Sequence, residues 1–97
     1  MASIEVKKTE QSDGYEFYVT VREGGGATHH QVTLRRDDYE RLSGGRVSPE
    51  ALVSETFRFL LEVEPKEAIL LSFDLPVIRH YFPKYEREIG ERLAHLN

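Results

Sequence analysis

Two hydrophobic rhythms divide the chain. Between Ile4 and Arg35 apolar and polar residues alternate with period two. Ile4 and Val6 face off against Glu5 and Lys7, and Tyr15, Phe17, Val19 and Val21 against Glu16, Tyr18, Thr20 and Arg22. His30, Val32 and Leu34 do the same against His29, Gln31, Thr33 and Arg35. Successive strand side chains point to opposite faces, so this alternation predicts half-buried strands. Ser12-Asp13-Gly14 and Gly24-Gly25-Gly26 lie between the runs and favour tight turns. Residues 1–36 are therefore expected to form a three-stranded antiparallel meander. Its covered face would carry Ile4, Val6, Phe17, Val19, Val21, Val32 and Leu34.

From Asp37 the rhythm becomes helical. Asp37 with Glu40 three residues later predicts a capping box, and Ser43-Gly44-Gly45 offers a left-handed end, giving one short helix. Ser48-Pro49-Glu50 places a capping hydroxyl, a proline at the first helical position and an acid at the positive end of the helix dipole. The helix that follows is expected to run to about Val63. Its apolar positions, from Leu52 and Val53 through Phe57, Phe59 and Leu60, cover more than one stripe, which predicts the most buried element. Residues 37–64 thus read as two capped helices, stopped by Glu64-Pro65.

Residues 65–97 read as a connecting segment followed by helices. Ala68-Ile69-Leu70-Leu71 is either a fourth short strand at 68–71 or a buried crossing segment, since four apolar residues in a row carry no period. Capped by Ser72 or Asp74, a last helical region places Leu75, Ile78, Phe82, Tyr85, Ile89 and Leu93 at spacings of three and four. Pro83 removes a backbone donor and disfavours helical angles at Phe82, predicting two short helices in place of one. The expected architecture is one small α+β domain over 1–97, a meander covered on one face by three to four C-terminal helices.

Composition narrows the chemistry. With 97 residues there is room for a single core. No cysteine is present, which excludes disulfides, cysteine-based zinc sites and cysteine nucleophiles. The formal net charge of −4 is unevenly placed: residues 1–36 and 73–97 are each balanced, while residues 37–72 carry eight acidic and four basic side chains. An acidic chain is a poor match for duplex nucleic acid through overall charge. The opening residues turn polar within a few positions, and apolar runs are about four residues long, so neither a secretion signal nor a membrane span is expected and the anticipated location is cytoplasmic.

Candidate catalytic and ligand-binding groups do not assemble into a motif. His29 and His30, adjacent on a strand, point to opposite faces and cannot share a metal. Gly24-Gly25-Gly26 lies between two strands rather than before a helix, which suits a hairpin tip and not a phosphate loop. Gly44-Gly45-Arg46-Val47-Ser48-Pro49 leads into a helix, but capping accounts for it. Glu62, Glu64 and Glu67 gather at a helix end, as solvated carboxylates do. No catalytic residue, cofactor or metal is therefore expected.

Surface character supplies the functional reading. Val77, Tyr81 and Leu96 fall off the main stripe of the last helices, and together with Tyr85 they form the expected interface for a protein partner or a second copy of the chain, a homodimer. The primary expectation is a small cytoplasmic, non-enzymatic interaction or regulatory module that self-associates. The alternative is nucleic-acid binding through the open face of the sheet. Over residues 1–63, three antiparallel strands backed by a helix resemble in topology the small DNA-binding domains of the integrase-arm and plant transcription-factor type, whose strands enter the major groove. The resemblance implies Arg22, Gln31, Thr33 and Arg35 as readers, with Tyr18 and His29 beside them. A third reading, an enzyme, requires His30 or His80 to meet Asp74 or a glutamate across the fold.

Overall fold

The computed structural model of the chain describes residues 2–96. Strands β1 (Ser3–Gln11), β2 (Gly14–Glu23) and β3 (Gly26–Arg35) form the antiparallel meander, joined by two-residue turns. Gly24 and Gly25 both have positive φ, 65° and 82°. That pair of angles matches the right-handed twist of the flanking strands, which is why glycines occupy this hairpin. Gly14 serves a different purpose. A Cβ there would lie 2.3 Å from the Leu34 carbonyl oxygen, so the close approach of β2 to β3 requires its absence.

Helices α1 (Arg36–Ser43) and α2 (Pro49–Val63) follow, and the chain then returns to the sheet as β4 (Ser72–Asp74), parallel to β3. The sheet order is β1-β2-β3-β4. The fourth strand therefore lies a few residues beyond the 68–71 run that sequence put forward. Lys66–Ala68 form a 3-10 turn, and residues 69–71 cross toward β3 before pairing begins. The parallel fourth strand also departs from the three-stranded arrangement of the DNA-binding domains. After a 3-10 turn at Leu75–Val77 come α3 (Ile78–Tyr81) and α4 (Tyr85–Ala94), separated at Phe82-Pro83-Lys84 where proline forbids a continuous helix.

Helix ends show where local signals act and where they are overridden. Ser48 accepts a hydrogen bond from the Ala51 amide at 3.1 Å with Pro49 at the first position, as the sequence predicts. Asp37 does not cap α1. Strand β3 runs directly into the helix, Arg35 is the capping residue, and the Arg36 amide donates to the Asp13 carbonyl at 3.1 Å. Asp37 and Glu40 thus form no capping box, because the helix already begins at Arg36 and Asp37 falls inside its first turn, where its carboxylate accepts the Asp38 amide at 2.9 Å. Gly44 ends α1 with φ 64° as expected.

One face of the sheet supplies Phe17, Val19, Val21, Val32 and Leu34 to the core, against Leu52, Val53, Phe57 and Leu60 of α2. Ile4 and Val6 on the edge strand β1 are only partly covered. Tyr85, Ile89 and Leu93 of α4 close the core from the other side of α2. Arg92 ties α4 to α2 with a bidentate pair to Glu62, 2.6 and 2.9 Å, while Arg41 of α1 holds Glu86 of α4 at 2.6 Å.

Within this core Thr56 and Tyr85, both fully buried, form a polar relay. The Thr56 hydroxyl donates to the Leu52 carbonyl at 2.9 Å and so must accept from the Tyr85 hydroxyl at 2.7 Å. The direction makes the two substitutions unequal. Tyr85→Phe removes a donor and leaves Thr56 satisfied, and is expected to cost about 1 kcal/mol; Thr56→Val strands a buried phenol, costing about 2–3 kcal/mol. Urea unfolding of both variants tests the order, and equal losses would refute the assigned direction. Gly14→Ala, which drives a methyl into backbone, is expected to destabilise by about 2 kcal/mol or more in the same assay. A neutral result there would show that the β2–β3 approach yields.

Candidate functional site

The return from α2 to the sheet builds the most distinctive surface of the molecule. Glu64 ends α2 in an extended conformation, with φ −155°, and Pro65 turns the chain. Two neighbouring carbonyls then anchor the crossing segment to β3. The Leu71 oxygen accepts the Gln31 amide at 2.8 Å, and the Leu70 oxygen lies 2.8 Å from His30 Nδ1. A carbonyl only accepts, so Nδ1 carries the proton and Nε2 accepts from the Thr28 hydroxyl, also at 2.8 Å. The His30 ring is buried, 2% exposed, edge-on to Phe57 with centroids 5.3 Å apart.

With its backbone pinned, the segment buries Ile69 and leaves Leu70 and Leu71 outside, at 44% and 67% exposure. Leu70 borders a groove of about 110 Å³. Buried Leu60, Ile69, Phe73 and Ile78 form its floor, and Glu64, Ala68, Leu70, Tyr81 and Phe82 its rim. Leu71 faces the other way, beside Tyr18, His29 and Gln31 on the open side of the sheet. An apolar strip therefore runs from Tyr81 over Leu70 and Leu71 to Tyr18, around the end of the sheet where β4 pairs on one side only. Tyr81 and Tyr18 are 63% and 52% exposed.

Of the residues expected at an interface, only Tyr81 reaches this groove. Val77 is half-buried and Leu96 exposed, and neither lines it. Tyr85 is fully buried, because it shares the inward face of α4 with Ile89 and Leu93 and its hydroxyl meets Thr56 of α2; a surface role for Tyr85 is excluded. Leu70, Leu71 and Glu64 were not singled out from sequence as partner-facing. The available signal is that Ala68 to Leu71, readable as a short strand or a crossing segment, has no period to say which side chains face water.

The open-face residues do share one surface, and each polar one has a partner. Arg22 pairs with Glu5 at 3.9 Å and Arg35 with Asp37 at 3.7 Å. Gln31 donates to Glu16, Thr33 to Asp74 at 2.7 Å, and His29 Nδ1 lies 3.2 Å from the Thr20 hydroxyl. Among the described residues no three His, Asp or Glu side chains converge to hold a metal. Nor is any helix among them long and apolar enough to cross a membrane. His80 is exposed, and His95 contacts the Glu91 carbonyl of its own helix at 2.7 Å. Thr28 and the Leu70 carbonyl occupy both His30 nitrogens, so the ring has no free atom for proton transfer to a ligand.

Burial pushes the His30 imidazole below its ordinary value of 6.5, aided by nearby His29 and opposed by the Leu70 hydrogen bond. Below about pH 6.5 the unfolded chain takes up a proton that the folded chain excludes, so stability is full above that pH and falls as pH drops beneath it. Chemical denaturation at pH 7.5 and 5.5 is expected to show this loss, and His30→Gln to abolish most of it. A wild-type protein equally stable at both values would contradict the assignment. Compared with known proteins, the chain matches no family model, and no curated protein and no solved structure matches it significantly, so what the site does is read from its own residues.

Proposed function

We propose that the protein is a non-enzymatic interaction module that docks a short segment of a partner protein through the groove and the strip of Tyr81, Leu70, Leu71 and Tyr18. The observation that carries this reading is the presentation of Leu70 and Leu71. Two consecutive leucines at the surface cost free energy in water, on the order of 1 kcal/mol or more each, and the hydrogen bonds from His30 and Gln31 hold them there against collapse into the core. Exposed apolar surface rimmed by polar residues marks sites of association. The groove's volume lies well under the roughly 300–1,000 Å³ of small-molecule sites, which favours one inserted side chain over a cofactor or metabolite. On the open face, carboxylates beside Arg22, Gln31, Thr33 and Arg35 weigh against nucleic acid, since phosphate attraction needs uncompensated cations.

Selection from a displayed library of random peptides tests the proposal. Leu70→Asp and Tyr81→Asp are surface changes, each expected to alter stability by no more than about 0.5 kcal/mol while removing binding of the recovered peptides. Peptides indifferent to both substitutions would overturn the proposal. So would light scattering that shows a dimer at about ten micromolar broken by the same substitutions, because the occupant would then be a second copy of the chain.

A further inference from the structure

Among the described residues, Glu64 is the one charged side chain lining the groove. Its neighbours in sequence are engaged: Glu62 with Arg92, and Glu67 with Lys66 at 2.7 Å. Glu64 itself makes no hydrogen bond or ion pair with any described side chain, although it is only partly exposed and lines the groove together with Leu60, Ile69 and Tyr81. Resting on the reading of the groove as a docking site, we infer that its occupant is a basic–apolar peptide segment, an inserted aliphatic or aromatic side chain with a lysine or arginine close by that meets the Glu64 carboxylate.

The argument is one of compensation. Covering the groove with an uncharged segment strips water from a carboxylate and returns nothing, whereas a cation brought against it offsets that loss. Burial already holds the Glu64 carboxyl above the usual carboxylate range. An acidic segment meets repulsion at Glu64, the charged group of the groove's lining.

Fluorescence polarisation with three labelled peptides tests the inference, each containing one leucine followed by lysine, norleucine or glutamate in an otherwise identical neutral sequence. The lysine peptide is expected to bind the wild-type protein about tenfold more tightly than the norleucine peptide at low salt, with the glutamate peptide weakest. In Glu64→Gln the lysine preference is expected to vanish while norleucine binding persists; in Leu70→Asp all binding is lost. Equal binding of lysine and norleucine peptides, or a lysine preference that survives Glu64→Gln, would overturn the cation while leaving the docking site intact. Failure of all three peptides to bind wild-type protein would overturn both.

Discussion

After α2 the chain must return to a sheet whose first three strands are already paired, and two adjacent carbonyls make that return. The Leu70 oxygen meets a buried imidazole forty residues earlier in the chain, and the Leu71 oxygen meets the next backbone amide along β3. The first of these bonds is made by a buried ring, so losing it leaves a polar group unsatisfied at a cost of about 1–3 kcal/mol. Once both bonds form, Phe73 is set into the core, β4 pairs in parallel with β3, and the groove between α2, β4 and α3 acquires its floor. The same bonds decide that Ile69 goes in and Leu70 and Leu71 stay out.

Charge and apolar surface are thereby brought to one end of the molecule. The open face of the sheet is polar, with Arg22 beside Glu5 and Arg35 beside Asp37. The other face is spent on α2. The exposed leucines lie at the rim where the sheet stops, and Glu64 stands there because α2 ends in an extended residue rather than a left-handed glycine. A glycine cap of the kind that ends α1 would have left this wall of the groove without a charge.

Much of the architecture was legible in the residues. Period-two alternation placed β1 to β3, Ser48-Pro49 placed the start of α2, and Pro83 placed the break between α3 and α4. These signals act within a few residues and are steric or hydrogen-bonding rules of the local backbone. The errors share a cause. Asp37 lost its capping role because β3 runs straight into α1 at Arg36, whose amide is held by the distant Asp13 carbonyl, so that Asp37 falls inside the first turn. Tyr85, which lies on the apolar stripe and was also assigned to an interface, found a buried acceptor in Thr56. Both outcomes depend on a group distant in sequence.

The sequence by itself determined the class of fold, the single core, the absence of cysteine chemistry and the imbalance of charge in the middle of the chain, since composition and short-range periodicity contain all of that. Only the tertiary structure decided where the fourth strand begins, which leucines face water, and that Glu64 borders an apolar groove. An unbroken apolar run such as Ala68 to Leu71 states how hydrophobic each residue is and not which way it faces; His30 and Gln31, by taking the two carbonyls, supply that direction.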